Sequence, residues 1–272
     1  MRNLQTPDTL GIIAGNGVYP RLLAEAARRA GVKRIVAAAF TNETDDRLAE
    51  TVDDIEWMRV GQLGKLIAGF REAGVAHAIM AGQIAPKNLF DLRPDLKTLL
   101  LLARLKRRNA ESIFAAIGDE LMRAGITLLP ATSFLEDYLA PRGLVAGRKL
   151  SRREEDDVAL GFEIATEVSR LDIGQTVVVR NGTVLAVEGF EGTNEAIKRG
   201  GSLGGKNAVM VKVAKPNQDM RFDVPVIGVA TIDVAAAANL RVIAVEAGRT
   251  LLLEKDALVE QATRANISIV AR

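Results

Sequence analysis

The chain predicts a two-domain α/β protein: an N-terminal Rossmann-like parallel sheet with helices, and a C-terminal mixed α/β domain. Three observations carry that expectation. The chain has 272 residues with 48% hydrophobic side chains, and single cores stop growing near ~250 residues. Up to Thr132, short apolar runs alternate with helical periodicities, the pattern of a parallel sheet. Beyond Ser151 the pattern changes: Asn181-Gly182 stands between two β-branched runs, a strong signal for a tight hairpin. The expected boundaries are 1–132 for the first domain, 133–150 for a linker that loses periodicity and carries Pro141, Gly143 and Gly147, and 151–272 for the second domain.

In chain order, LGIIAGNGV reads as a short buried strand running into a glycine turn. The helix after it places Leu22, Leu23, Ala26, Ala27 and Ala30 at helical spacing, with Pro20 in its first turn and Gly31 at its stop. A strand, a Gly15-Asn16-Gly17 turn and a helix start bring backbone amides to one point, which suits an anion; a tight turn with no ligand reads equally well. The dinucleotide fingerprint fails. Pro20 stands at its third glycine, and the next strand, Arg34 to Phe40, ends in Phe40 and Thr41 where an acidic ribose ligand belongs. A helix with Leu63, Leu66, Ile67 and Phe70 on one face leads to the strand AHAIMAGQIAP, which exits at Gly82, Gln83 and Pro86. Ligands of parallel sheets sit beyond the carboxyl ends of strands, so Gly17 and Gln83 share that rim.

Residues 95–124 read as two helices. The first combines a leucine stripe with Arg104, Lys106, Arg107 and Arg108, either a core helix whose basic end suits the macrodipole or a surface for anionic lipid head groups. ITLLPAT reads as a strand. Ser151 with Glu154 forms a capping-box pattern for a helix through about Arg170. After the hairpin, Glu188, Glu191, Gly192 and Thr193 cluster at a strand exit, with Thr193 as cap of a short helix. GKNAVMVKVAK is a strand bringing Lys212 and Lys215. The remainder is a β-branched run ending in Gly228, Thr231 and Ile232, an alanine-rich helix, then VIAVEAG, TLLLE, a helix over DALVEQATRAN, and ISIVAR.

Composition narrows the chemistry. Residues 1–140 and 141–272 each carry 18 basic and 17 acidic side chains, without the bulk basicity of a nucleic-acid binder. With no cysteine, thiolate catalysis, disulfides and Cys-based zinc sites are excluded. The one histidine, His77, lies in an apolar run and reads as structural rather than catalytic. Carboxylates, Lys/Arg, hydroxyls and amides remain, an inventory for hard cations such as Mg²⁺. No run reaches the ~18 apolar residues of a membrane span, and the N-terminus lacks a signal-peptide core. The expectation is a soluble, cytoplasmic protein.

Asp223 is the focal residue. It stands between Phe222 and Val224 in an apolar frame, where an unpaired carboxylate costs several kcal/mol. It reads either as a strand-end carboxylate that caps a loop or pairs with Arg221, or as a metal ligand or general base at a strand mouth. Carboxylate, lysine and helix N-termini are what phosphoryl or pyrophosphate chemistry needs.

LDIGQTVVVRNGTVLAVEGFEGTNEAI together with KVAKPNQDMRFDVPVIGVATI resembles the LpxI family of UDP-2,3-diacylglucosamine pyrophosphatases of lipid A biosynthesis. GIIAGNGVYPRLLAEAARRAGV, GQLGKL, AGQIAP and APRGL fit the same family, so the resemblance covers nearly the whole chain. It implies a two-domain enzyme that binds a lipid-linked sugar nucleotide. It implies Mg²⁺-dependent hydrolysis of UDP-2,3-diacylglucosamine to UMP and 2,3-diacylglucosamine 1-phosphate, with Asp223 as catalytic residue and metal ligand. The expected substrate contacts, from the rims and the resemblance together, are Gly15, Asn16, Gly17, Val18, Gly82, Gln83, Lys149, Gln175, Gly192, Thr193, Lys215 and Thr231. Two motifs depart from the family pattern: Gly15-Asn16-Gly17 stands where three glycines are frequent, and Gly82-Gln83 where Gly-Asn or Gly-Lys is. The acyl chains call for an apolar groove, and the basic helix suggests peripheral contact with the inner membrane. A non-catalytic sugar-nucleotide-binding module is the alternative from another class, and the broken fingerprint weighs against an NAD-dependent oxidoreductase.

Overall fold

The first sheet is wholly parallel and follows from the alternation read above. The structure, a computed structural model, describes residues 6–84, 94–105, 110–215 and 219–272. Strands β1 (Thr9–Ala14), β2 (Arg34–Phe40), β3 (Asp54–Met58), β4 (His77–Ala81) and β5 (Thr127–Leu128) stand in the order β3-β2-β1-β4-β5. The central strands are near-continuous apolar runs because both their faces are covered. Their companions are α1 (Tyr19–Arg29), α2 (Leu63–Glu72), α3 (Leu96–Arg104) and α4 (Ala110–Arg123). Phe70, Leu121 and Ile126 are fully buried against this sheet's core. β3 has no counterpart in the sequence reading; DIEWM mixes acidic and apolar residues, and its pairing with β2 holds it in register.

The second sheet is mixed. It holds β6 (Gly143–Ala146), β7 (Thr176–Arg180), β8 (Thr183–Val187), β9 (Ala208–Lys212), β11 (Leu240–Val245) and β13 (Ser268–Ala271) in the order β6-β13-β11-β9-β7-β8. Strands β9, β11 and β13 are parallel, while β6 and the β7–β8 hairpin run antiparallel. Asn181 and Gly182 take the positive φ of the expected turn, 48° and 73°. Helix α5 (Arg152–Arg170) starts with the capping box of Ser151 and Glu154. Asp157 on it accepts from the Asn181 and Gly182 amides at 2.9 and 2.7 Å, tying the hairpin turn to the helix. Helices α6 (Thr193–Gly204), α7 (Val229–Ala237) and α8 (Lys255–Arg264) complete this part, with a two-stranded parallel sheet of β10 (Val226–Ile227) and β12 (Leu251–Leu252).

The chain divides into one unit of Met1–Leu135 with Met220–Phe222, and a second of Glu136–Asp219 with Asp223–Arg272. Within 133–150, a short 3-10 turn spans Glu136–Tyr138 and β6 pairs with β13. The run expected to be β-branched strand through Ile232 is strand only at Val226–Ile227. Gly228 then starts α7, so Thr231 is helical and its hydroxyl accepts from the Gly228 amide. Among the described residues, no helix is long and apolar enough to cross a membrane.

Candidate active site

In the first unit, two strand exits cross at backbone distance. The Gly15 amide donates to the Ala81 carbonyl at 2.7 Å, and the Asn16 amide donates to the Gln83 carbonyl at 2.7 Å. A Cβ on Gly15 would lie 2.7 Å from the Gln83 carbonyl oxygen, and one on Gly82 2.6 Å from that of Asn16. The shared rim is therefore built by backbone, and glycine is required at both crossing points. Asn16, Gly17, Gly82 and Gln83 are exposed there, and Val18 is the N-cap of α1. Pro20 removes one first-turn donor from that helix start. Pro86 lies outside the described residues. Glu43, buried three residues past the end of β2, is a carboxylate that reading only as far as Thr41 missed.

Gly15 and Gly82 also line an apolar pocket inside this unit, walled by Phe40, Met80, Leu101, Phe114 and Phe222. The Phe114 and Phe222 rings stack with centroids 5.8 Å apart. Helix α3 gives the pocket Thr98, Leu101 and Leu102. Its start is fixed by Asp95, which accepts from the Thr98 amide at 2.8 Å and the Gly64 amide at 2.6 Å. No single run of the sequence signals such a pocket, because its walls come from separate elements.

In the second unit, the polar cluster lies at the end of the sheet where β9 finishes and β7 begins; Thr176 pairs with Lys212 there. Lys212, 7% exposed, donates to the Thr193 hydroxyl at 2.8 Å. That hydroxyl donates to Glu188 Oε1 at 3.0 Å, and the Thr176 hydroxyl lies 3.4 Å from it. Thr193 was expected to cap α6; Gly192 is the N-cap instead, at φ 84°, and the Thr193 side chain is committed to Lys212 and Glu188. The Gln175 amide donates to Glu188 Oε2 at 3.4 Å, while the buried Gln175 Oε1 accepts no hydrogen bond. Burial pushes the Lys212 ammonium's pKa down, and the charges of Glu188 and Asp223 oppose that shift. Asp223 thus belongs to the same electrostatic neighbourhood. It lies in the loop before β10 rather than in a strand.

Two expected contacts stand differently. Lys215 is ion-paired with Asp172, and its carbonyl accepts from Arg249 at 3.0 Å. Lys149 is exposed, next to Arg148, whose amide donates to Ser268 Oγ at 3.1 Å. Ser268 opens β13 and Lys212 closes β9, its neighbour but one in a parallel set, so Lys149 sits at the opposite sheet end from Lys212. Among the described residues, no group of three or more His, Asp or Glu converges as a metal cage. A lone carboxylate still fits Mg²⁺, which binds through one or two carboxylates, substrate phosphates and water.

Fold and site define a two-unit α/β protein with a cation-bearing polar rim in one unit and an apolar pocket under a glycine crossing in the other. The chain belongs to the LpxI family: the LpxI N-terminal domain matches residues 9–138 and the LpxI C-terminal domain residues 141–270. It is 33% identical over 268 residues to the UDP-2,3-diacylglucosamine pyrophosphatase LpxI of Caulobacter vibrioides, across 93% of either chain. Among solved structures it is similar to the biotin carboxylase domain of Hydrogenobacter thermophilus 2-oxoglutarate carboxylase. That similarity has a TM-score of 0.29 and 12% identity, over 66% of this chain and 36% of the other.

Proposed function

We propose that the chain hydrolyses the pyrophosphate bond of UDP-2,3-diacylglucosamine, giving UMP and 2,3-diacylglucosamine 1-phosphate for lipid A synthesis. The observation that carries this reading lies within the second unit: a buried Lys212 anchored by Thr193, with the charges of Glu188 and Asp223 acting on it, is the cation-and-carboxylate set that diphosphate chemistry calls for. The family membership and the Caulobacter relative's name point the same way.

In this mechanism the first unit's apolar pocket takes acyl chain, and the exposed Asn16 and Gln83 beside the glycine crossing contact the sugar nucleotide through their side chains. Asp223 orients water and takes its proton; the water oxygen bonds to one phosphorus as that phosphorus's bond to the bridging oxygen breaks, and the bridging oxygen leaves on the other phosphate. Asp223 would also hold Mg²⁺, which supplies positive charge to the phosphates when bound. The Asp223→Ala protein should still unfold cooperatively, since Asp223 is half-buried in a loop outside the strands. It should release UMP at least ~100-fold more slowly, the scale of losing a positioned catalytic group. Near-parental turnover would remove Asp223 from the chemistry.

We place the protein at the cytoplasmic face of the inner membrane, docked through α3. The helix that lines the pocket with Leu101 and Leu102 exposes Leu96 (73%), Leu99 and Leu100 on its other side. Lys106, Arg107 and Arg108 lie outside the described residues. Substituting Leu99 and Leu100 with glutamate should abolish sedimentation with phosphatidylglycerol vesicles; undiminished binding would discard this docking face.

A further inference from the structure

An ammonium taken out of water costs several kcal/mol unless other groups replace its hydration. Lys212 is in that position: among the described residues it makes one hydrogen bond, to Thr193, and no ion pair within 4 Å. A lysine has three N–H donors, so Thr193 occupies one of three. Glu188, whose charge acts on Lys212 more strongly than that of Asp223, is itself bonded to the Thr193 hydroxyl and the Gln175 amide. The cation is thus held by neutral oxygen and steered by carboxylate charge, with two donors unspent. Lys215 differs, since its ammonium is already paired with Asp172.

We propose that Lys212, rather than Lys215, is the cation that receives the diphosphate, and that Thr193 and Glu188 are its positioning residues. The inference rests on the pyrophosphatase reading above. The Thr193 hydroxyl has a fixed direction, accepting from Lys212 and donating to Glu188, so the ammonium is anchored at one point and free to donate at two. A diphosphate offers anionic oxygens for those donors and restores the charge partner that burial removed. Gln175 Oε1, buried at the same sheet end without a donor, completes the site as an acceptor for a ligand hydroxyl or N–H.

UDP binding by calorimetry tests this without requiring turnover. Lys212→Met should weaken UDP by about tenfold or more, as the loss of a charge-assisted hydrogen bond does, and leave uridine affinity unchanged. A UDP affinity within about twofold of the parent overturns the proposal. A second cycle separates contact from scaffolding: in a Thr193→Val background, Lys212→Met should still cost at least about fivefold, whereas a lysine acting only through Thr193 would cost nothing more. Should Lys212→Met not fold, the parent protein labelled with ¹³C,¹⁵N-lysine decides. The side-chain signal with the burial-lowered pKa should move on adding UDP, and an unmoved signal refutes the assignment. UDP binding that depends on Lys212, in a protein that releases no UMP from UDP-2,3-diacylglucosamine, would sink the hydrolase reading and leave Lys212 as the diphosphate cation.

Discussion

A methyl group placed on Gly82 would sit 2.6 Å from the Asn16 carbonyl oxygen, and the residue holds φ +89°. Both facts oppose any side chain: the contact is with backbone, which cannot swing aside, and the left-handed region costs an L-residue roughly 1–2 kcal/mol. Gly17 isolates the second effect, since it has φ +88° but nothing within 4 Å of its added Cβ. Gly17→Ala should therefore cost about 1–2 kcal/mol, and Gly82→Ala a further ~1–3 kcal/mol from overpacking. Thermal melts of both variants check the order. Equal losses would mean that the Asn16–Gln83 crossing yields easily and does not hold the rim in shape.

Elements with local causes were legible in the sequence, and the site was legible only where it followed from them. The β7–β8 hairpin was announced by Asn181-Gly182 and α5 by Ser151 and Glu154, because turn chemistry and caps act within a few residues. The strand exits at Gly15 and Gly82 were legible for the same reason. Side-chain commitments made across 19 residues or more were not. Lys212 and Thr193 both stood out at strand exits, yet nothing local says that the hydroxyl abandons the cap of α6 for the ammonium. The α7 boundary misled for a related reason. VIGVATI has β-branched composition, but Gly228 ends the strand, and Thr231 satisfies its amide at the helix start. Lys149 and Thr193 occupy comparable positions near glycines in the sequence; only the order of β6, β13, β11 and β9 shows that they belong to opposite sheet ends.

At the scale of the whole chain, carboxylates with depressed pKa values occur in both units, so acid should weaken both. The Arg28 guanidinium, then the Ile35 amide, lower Asp53; Lys97 and Arg123 lower Glu120; Arg199 lowers Glu191. Asp95 and Glu154 are resisted chiefly by burial, which raises them, yet the combined hydrogen bonds outweigh it: Thr98 and Gly64 for Asp95, Arg148 and Ser151 for Glu154. A carboxylate whose folded pKa lies below its unfolded value of about 4 stabilises the native state fully above that value. The contribution is lost as pH falls through the unfolded value towards the folded one. The melting temperature should accordingly change little from pH ~8 to ~5, where a chain with one histidine has few groups to titrate, and fall steadily from about pH 4.5 towards 2.5. Salt divides the effect. Surface pairs such as Arg28–Asp53 are screened at ~0.5 M, whereas Asp95 and Glu154 keep their backbone donors. The acid drop should shrink in salt without vanishing. A melting temperature that stays flat to pH ~3 would show that these carboxylates have the same pKa in the unfolded chain, and that the ion pairs and caps drawn around them contribute nothing to holding either unit together.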